Sequence, residues 1–173
     1  DGAHTLRAAL MYMHYQAESG TSCPLTMTHA AVPAMRYGKS LPSYWLDKLI
    51  NGVYDPRSLP ASQKNGVTIG MGMTEKQGGS DVRRNTTTAT KQRDGSYSIV
   101  GHKFFFSAPM CDAHLILAQA EGGLSCFLLP RILENGELNN VRIQRLKDKL
   151  GDWSNASSEV EFQEATAYLI GEE

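Results

Sequence analysis

The sequence predicts an α+β protein in which an N-terminal helical segment precedes an antiparallel β-barrel or sandwich. Three observations predict it. Apolar residues recur every three or four positions over roughly the first sixty residues, the period drops to two after Gly66, and turn-forming pairs then punctuate the chain at short intervals. A chain of 173 residues, 41% hydrophobic and 20% charged, has the composition of a globular protein and length enough to bury a core.

Over residues 3–18, Leu6, Leu10, Met13 and Ala17 line one face of a helix, and Gly20 supplies its stop. Ser22 is suited to cap a second helix, with Pro24 in the first turn, where a missing N–H is harmless. Pro33 should end or kink that helix, because its ring clashes with the preceding turn. A third short helix is predicted over residues 42–50, closing at Asn51-Gly52. Asp55-Pro56 and Leu59-Pro60 make an irregular connection. The change of period at 61–66 divides the chain into residues 1–65 and 66–173.

The first strand places Val67, Ile69, Met71 and Met73 on one face and Gly70 and Gly72 on the other. A strand face without side chains admits a flat ligand or another backbone, or marks a tight barrel bend. The β-branched run at 86–92 and the Asp94-Gly95 turn before Tyr97, Ile99 and Val100 predict a hairpin. Further strands are predicted at 103–107, 114–120, 124–130, 141–146, 158–162 and 167–170, with Gly122-Gly123, Asn135-Gly136 and Gly151 between them.

Seventeen basic and eighteen acidic residues give a net charge of −1, and no block of five like charges occurs. The electrostatic footprint of a nucleic-acid binder is therefore missing from this stretch. No apolar run is long enough for a transmembrane helix, and the start lacks the features of a signal peptide. Cys23, Cys111 and Cys126 are odd in number and lack C-x-x-C spacing, which predicts reduced thiols, buried as small hydrophobes, in a cytoplasmic setting. The five histidines show no i,i+4 pairing, so no metal site is predicted. Arg83-Arg84 and Arg142, Arg145, Lys147 and Lys149 read as solvated strand ends. Beginning at Asp1 rather than Met, the chain reads as a piece of a longer protein.

Gly70-Met71-Gly72-Met73-Thr74-Glu75 starts like a dinucleotide fingerprint, but Glu75 stands where the third glycine belongs and no helix follows. Next comes Lys76-Gln77-Gly78-Gly79-Ser80-Asp81, a turn whose backbone amides either face a phosphate or polar ring edge or merely link two strands. Glu75 and Asp81 read as structural or solvent-facing.

Met73-Thr74-Glu75 followed by Gly79-Ser80-Asp81 resembles the M-T-E-x-x-x-G-S-D signature of the acyl-CoA dehydrogenases. Gly101-His102-Lys103-Phe104-Phe105-Phe106-Ser107 is similar to that family's G-x-K-x-W-I-T segment, and Lys149-Leu150-Gly151 with Ser158-Glu159-Val160-Glu161-Phe162 to its K-x-G…E-V-x-F segment. The longer string from Gly70 to Val82, together with Gly122-Gly123-Leu124-Ser125-Cys126-Phe127, resembles the alkylation-response (AidB-type) branch. The resemblance covers nearly the whole chain. It implies the end of an N-terminal helical domain, then the FAD-binding β-barrel middle domain, with a C-terminal helical bundle absent.

By this resemblance Met71, Gly72, Met73, Thr74, Gly79 and Ser80 form one wall of an FAD site, and Phe105, Phe106 and Ser107 the other. Phe105 stands where the family has tryptophan, Ser107 where it has threonine, and Lys76 where it has proline. If residues 104–106 form a regular strand, only alternate residues face one side, and Phe105 points either to the flavin or into the barrel core. The family's carboxylate base comes from the C-terminal domain, so no catalytic residue is assigned in this stretch. The branch is implied to bind FAD and duplex DNA, to form a homotetramer, and to dehydrogenate acyl-CoA feebly at most. Two alternatives stand beside this: a metabolic dehydrogenase of short or branched acyl-CoA, and a non-enzymatic β-domain whose loops bind a protein partner.

Overall fold

The computed structural model describes residues 2–173. Three helices come first: α1 (Ala3–Ala17), α2 (Ser22–Met35) and α3 (Tyr44–Ile50). Seven strands follow: β1 (Ile69–Gly72), β2 (Thr88–Lys91), β3 (Tyr97–Ser107), β4 (Ala113–Ala120), β5 (Gly123–Pro130), β6 (Val141–Leu146) and β7 (Ser157–Ile170). Short 3₁₀ turns occupy Ala61–Gln63 and Val82–Arg84.

Helix α1 buries none of its residues, so the predicted face of Leu6, Leu10 and Met13 lies open. The start of α2 differs from expectation. Ser22 is inside the helix with its hydroxyl unpartnered, and the Glu18 carboxylate instead accepts the N–H groups of Gly20 (2.9 Å) and Thr21 (2.7 Å). Glu18 thereby shapes the turn before the helix, while the first helical N–H groups, of Ser22 and Cys23, donate to the carbonyls of Ser19 (3.1 Å) and Gly20 (3.4 Å). Pro33 lies inside α2, and the helix ends two residues later at Met35. Helix α3 starts at Tyr44, later than predicted, and ends at Ile50, with Asn51 as its cap and Gly52 next in the left-handed region (φ 72°) that glycine enters most readily.

The barrel closes through β3–β2–β4–β5–β7 and back to β3. Most pairings are antiparallel as predicted, but β1–β4 and β2–β4 are parallel. The crossover β1–β3 arises because β1 sits between β4 and the end of β3, where Met71 faces Ser107. Two predicted strand pairs prove continuous. Segments 97–100 and 103–107 join as β3 across Gly101, where a Cβ would lie 2.6 Å from Thr87 Oγ1. Segments 158–162 and 167–170 join as β7 through a bulge, with Glu164 at φ 59°. The Asp94-Gly95 hairpin forms as predicted, and Asp94 Oδ1 accepts Ser96 N at 3.0 Å.

Two cores result. Inside the barrel lie Tyr97, Ile99, Phe106, Ile116, Phe127, Leu129, Val160 and Phe162. Between the outer barrel wall and the helices lie Ala31, Met35, Trp45, Leu49, Val67, Ile69, Leu115 and Leu128. β4 alternates between them, Leu115 outward and Ile116 inward, which is why it is buried on both faces. Thr28 of α2 also exchanges hydrogen bonds with the backbone of Ile69, its Oγ1 donating to the carbonyl (3.3 Å) and accepting from the N–H (3.2 Å). A helix side chain thereby satisfies a strand edge. Strand β6 is the outer edge, and its Ile143 and Leu146 are exposed.

Candidate functional site

The face of β1 that carries Gly70 and Gly72 is already filled from within the barrel. A Cβ on Gly70 would lie 2.4 Å from His114 Nε2, and one on Gly72 would lie 2.6 Å from Phe106 Cδ2. His114 and Phe106 stack there with ring centroids 3.8 Å apart and planes at 19°. This face is thus filled by two side chains of the barrel interior, with the Ser107 carbonyl also close to Gly70, and leaves no room for a flat ligand. Met71, on the opposite face, packs against Met27, Ala108, Cys111 and Cys23 beneath α2.

Beyond Gly72 the chain turns out of the sheet, and the two predicted walls meet. Thr74 O accepts Phe104 N at 2.8 Å and Phe105 N at 3.4 Å. The loop then folds back so that a Cβ on Gly79 would lie 2.6 Å from Thr74 Oγ1. Met73 and Thr74 are half-buried, Gly79 and Ser80 exposed.

The register of β3 settles the alternation at Phe104–Phe106. Lys103 pairs with Val160 and Phe106 with Ser158, so two residues of β3 stand opposite Glu159 alone. This bulge turns both Phe104 and Phe105 outward and leaves Lys103 and Phe106 facing in. Phe105 is 39% exposed and Phe106 2%. Phe106, expected in the second wall, belongs to the barrel core, while Ser107 is half-buried with its hydroxyl 3.1 Å from Ser157 Oγ.

Glu75 is structural and fully buried. Its carboxylate accepts Lys103 Nζ (2.7 Å), Thr86 N (2.7 Å), Thr86 Oγ1 (3.0 Å) and Thr87 N (3.1 Å). Burial by itself would raise its pKa, but the Lys103 ammonium and the threonine donors outweigh that and lower it to about 2. Asp81 is exposed. The buried lysine, and the threonines as carboxylate partners, went unread in the sequence. The available signal was Lys103 itself, a charge at an inward position of an apolar strand.

His114 was also unread. It is buried, its Nε2–H donates toward the carbonyls of Ser107 (3.2 Å) and Ala108 (3.1 Å), and desolvation lowers its pKa to about 3. A second buried ion pair joins Lys64 and Asp112 at 2.5 Å.

The basic residues of β6 and of the segment just after it are not all solvated. Lys147 Nζ lies 3.3 Å from the centroid of Phe104 and 4.5 Å from that of Phe105, and it pairs with Glu159 at 3.0 Å. Lys149 bonds to Asn155 O and Ser157 Oγ, whereas Arg142 is exposed. The three cysteines are free thiols, with Cys111 buried and the other two half-buried. A groove of about 1200 Å³ runs between α2, α3 and the barrel rim, faced by Leu25, Val32, Leu49, Val67 and Met110 among others. Among the described residues no helix is long and apolar enough to cross a membrane.

Residues 1–56 match the family described as adaptive response protein AidB N-terminal domain, and residues 70–165 match acyl-CoA dehydrogenase, middle domain. The chain is 56% identical over 171 residues to AidB of Escherichia coli (strain K12), covering 98% of this chain and 32% of that protein. It is 34% identical over 169 residues to 3-methylmercaptopropionyl-CoA dehydrogenase of Ruegeria pomeroyi, covering 87% of this chain and 26% of that protein. It thus spans a third or less of these relatives. Among solved structures, Caenorhabditis elegans ACDH-11 in complex with C11-CoA superposes with a TM-score of 0.74 at 34% identity, over 87% of this chain and 27% of that one. Butyryl-CoA dehydrogenase from Megasphaera elsdenii, 21% identical with a TM-score of 0.70 over 90% of this chain and 39% of that one, shares the fold. With a family match over more than half of its residues and the same barrel in solved relatives, this chain belongs to the acyl-CoA dehydrogenase family.

Proposed function

We propose that residues 1–65 close a helical domain and residues 66–173 form the FAD-binding barrel of an alkylation-response flavoprotein. One observation carries the cofactor reading: the Thr74 carbonyl holds the amides of Phe104 and Phe105, so the two motif segments form one outward surface. That surface fits a flavin. Phe105 offers an exposed aromatic face, the Gly79-Ser80 backbone is open to a polar edge, and Gly79 lets the loop close on Thr74 with no intervening side chain. When bound, FAD supplies the hydride acceptor of the redox step. Thr74, Gly79, Ser80, Phe105 and Ser107 bind and orient it together with half-buried Met73, Met71 backs the wall from the helix side, and Phe106 supports it from the core.

The α-proton must leave to a carboxylate base. Glu75 is unsuited to that task, because it is buried, ionised and fully hydrogen-bonded. As the family resemblance implies, the base is supplied by a part of the protein outside this stretch. The 56% identity to AidB supports the alkylation-response branch over a metabolic dehydrogenase, and with it duplex DNA contact outside this stretch and a homotetramer. Three free thiols support a reducing, cytoplasmic setting. The apolar groove favours an acyl chain as ligand, which keeps acyl-CoA oxidation as a second reading.

The visible absorption and flavin stoichiometry of the intact protein test the first reading, with a Thr74→Val, Ser107→Ala double variant as comparison. A flavin spectrum lost or weakened in the variant supports it; a colourless intact protein, or unchanged affinity in the variant, overturns it. Turnover with short, branched and long acyl-CoAs separates the two enzymatic readings.

A further inference from the structure

Three consecutive phenylalanines, Phe104, Phe105 and Phe106, occupy the stretch where β3 must choose which ring enters the barrel. Hydrophobic burial cannot choose, because the side chains are identical. A regular strand continuing from the inward Lys103 would bury Phe105 and expose Phe106. The observed bulge does the reverse, and something other than apolar area selects it.

We propose that the Glu75–Lys103 ion pair is a register lock that selects Phe106 as the buried ring and so positions Phe105 on the outer wall. Both side chains are wholly shielded from solvent, and their atoms lie 2.7 Å apart. Thr86 and Thr87 fix the carboxylate from the other side, so Glu75 cannot move with the loop. The residue before it, Thr74, then has its carbonyl aimed at the amides of Phe104 and Phe105, which fixes the bulge at these two residues. Lys76 N donates to His102 Nε2 at 3.2 Å and extends the same seam. Buried ion pairs commonly add little net stability and instead specify one arrangement among several apolar alternatives. Here the alternatives are two registers of one strand. Lys147 also rests on the outward Phe104 and Phe105 rings from outside the barrel, a contact that removing the buried charges leaves in place, so a register change on their removal is owed to the buried pair. The consequence for FAD rests on the function proposed above; the register itself does not.

The test removes both charges together in the intact protein, Glu75→Gln with Lys103→Met, so that no uncompensated ion stays buried. Register is read with all three rings intact, from crystal structures of the parent and of this double variant. The lock predicts that Phe106 stacks on His114 in the parent and that Phe105 takes the inward place once the charges are gone. The double variant should melt within about 5 °C of the parent and bind FAD at least roughly tenfold more weakly. Phe106 still stacked on His114 in the double variant overturns the lock. A changed register with unchanged FAD affinity overturns its role at the cofactor wall. A parent that binds no FAD refutes the cofactor reading alone, since the register contrast still judges the lock.

Discussion

His114 lies flat against Phe106 above the side-chain-free face of Gly70, with its Nε2–H held between the carbonyls of Ser107 and Ala108. One imidazole thereby fills the space left by a glycine strand and ties down the turn that follows the second motif segment.

This burial makes stability depend on pH. His114 has an ordinary pKa of 6.5 and a folded pKa of about 3, so it stays neutral in the native state while the unfolded chain takes up a proton below pH 6.5. Its contribution is complete above pH 6.5 and declines as pH falls toward the folded value, by at most about 1.4 kcal/mol per pH unit. Urea titrations at pH 7, 6, 5 and 4 should show this slope, and His114→Gln should flatten it. Glu75 adds its own loss only below its ordinary value of 4.5, since its folded pKa is also depressed.

Gly70→Ala should destabilise the protein by about 1–3 kcal/mol, because the new methyl meets both the His114 ring and the Ser107 carbonyl. The backbone contact, 2.8 Å from the would-be Cβ to Ser107 O, cannot be relieved by moving a side chain. Adding His114→Ala should therefore recover only part of the loss. Full recovery in a double-mutant cycle would assign the whole clash to the imidazole.

Adjacent phenylalanines should behave oppositely. Phe106→Ala empties a core position and should cost about 3–5 kcal/mol of stability. Phe105→Ala should stay within about 1 kcal/mol of the parent, as for an outer-face residue, while weakening FAD. Thermal midpoint and FAD dissociation constant, measured on the same two samples, separate the roles.

Lys64→Met should cost about 3–5 kcal/mol, because it strands a buried Asp112 carboxylate whose remaining partners are Thr68 N and Oγ1. Adding Asp112→Asn should restore most of the loss. Chemical denaturation of the parent and three variants gives the four free energies needed.

The helical beginning, the change of period at 61–66 and the Asp94-Gly95 hairpin were readable locally, because periodicity and turn chemistry are properties of neighbouring residues. So was the turn at residues 76–81, although the strand before it ends at Gly72 rather than running through Met73. Other features depend on residues far apart in sequence. The parallel pairings of β4 require knowing where β1 and β2 return, and the continuity of β3 through Gly101 depends on Thr87 approaching it. Helix α2 begins at Ser22 as the sequence suggests, but Ser22 does not cap it, because the carbonyls of Ser19 and Gly20 in the incoming turn accept its first N–H groups. The direction of three identical phenylalanines could not be read from alternation, because the bulge is set by Glu75, some thirty residues upstream, together with the opposing strand. Local pattern specified which segments could be helix, strand or loop. Long-range packing decided which side chains filled the space beside the glycines, and which aromatic ring was left to face outward.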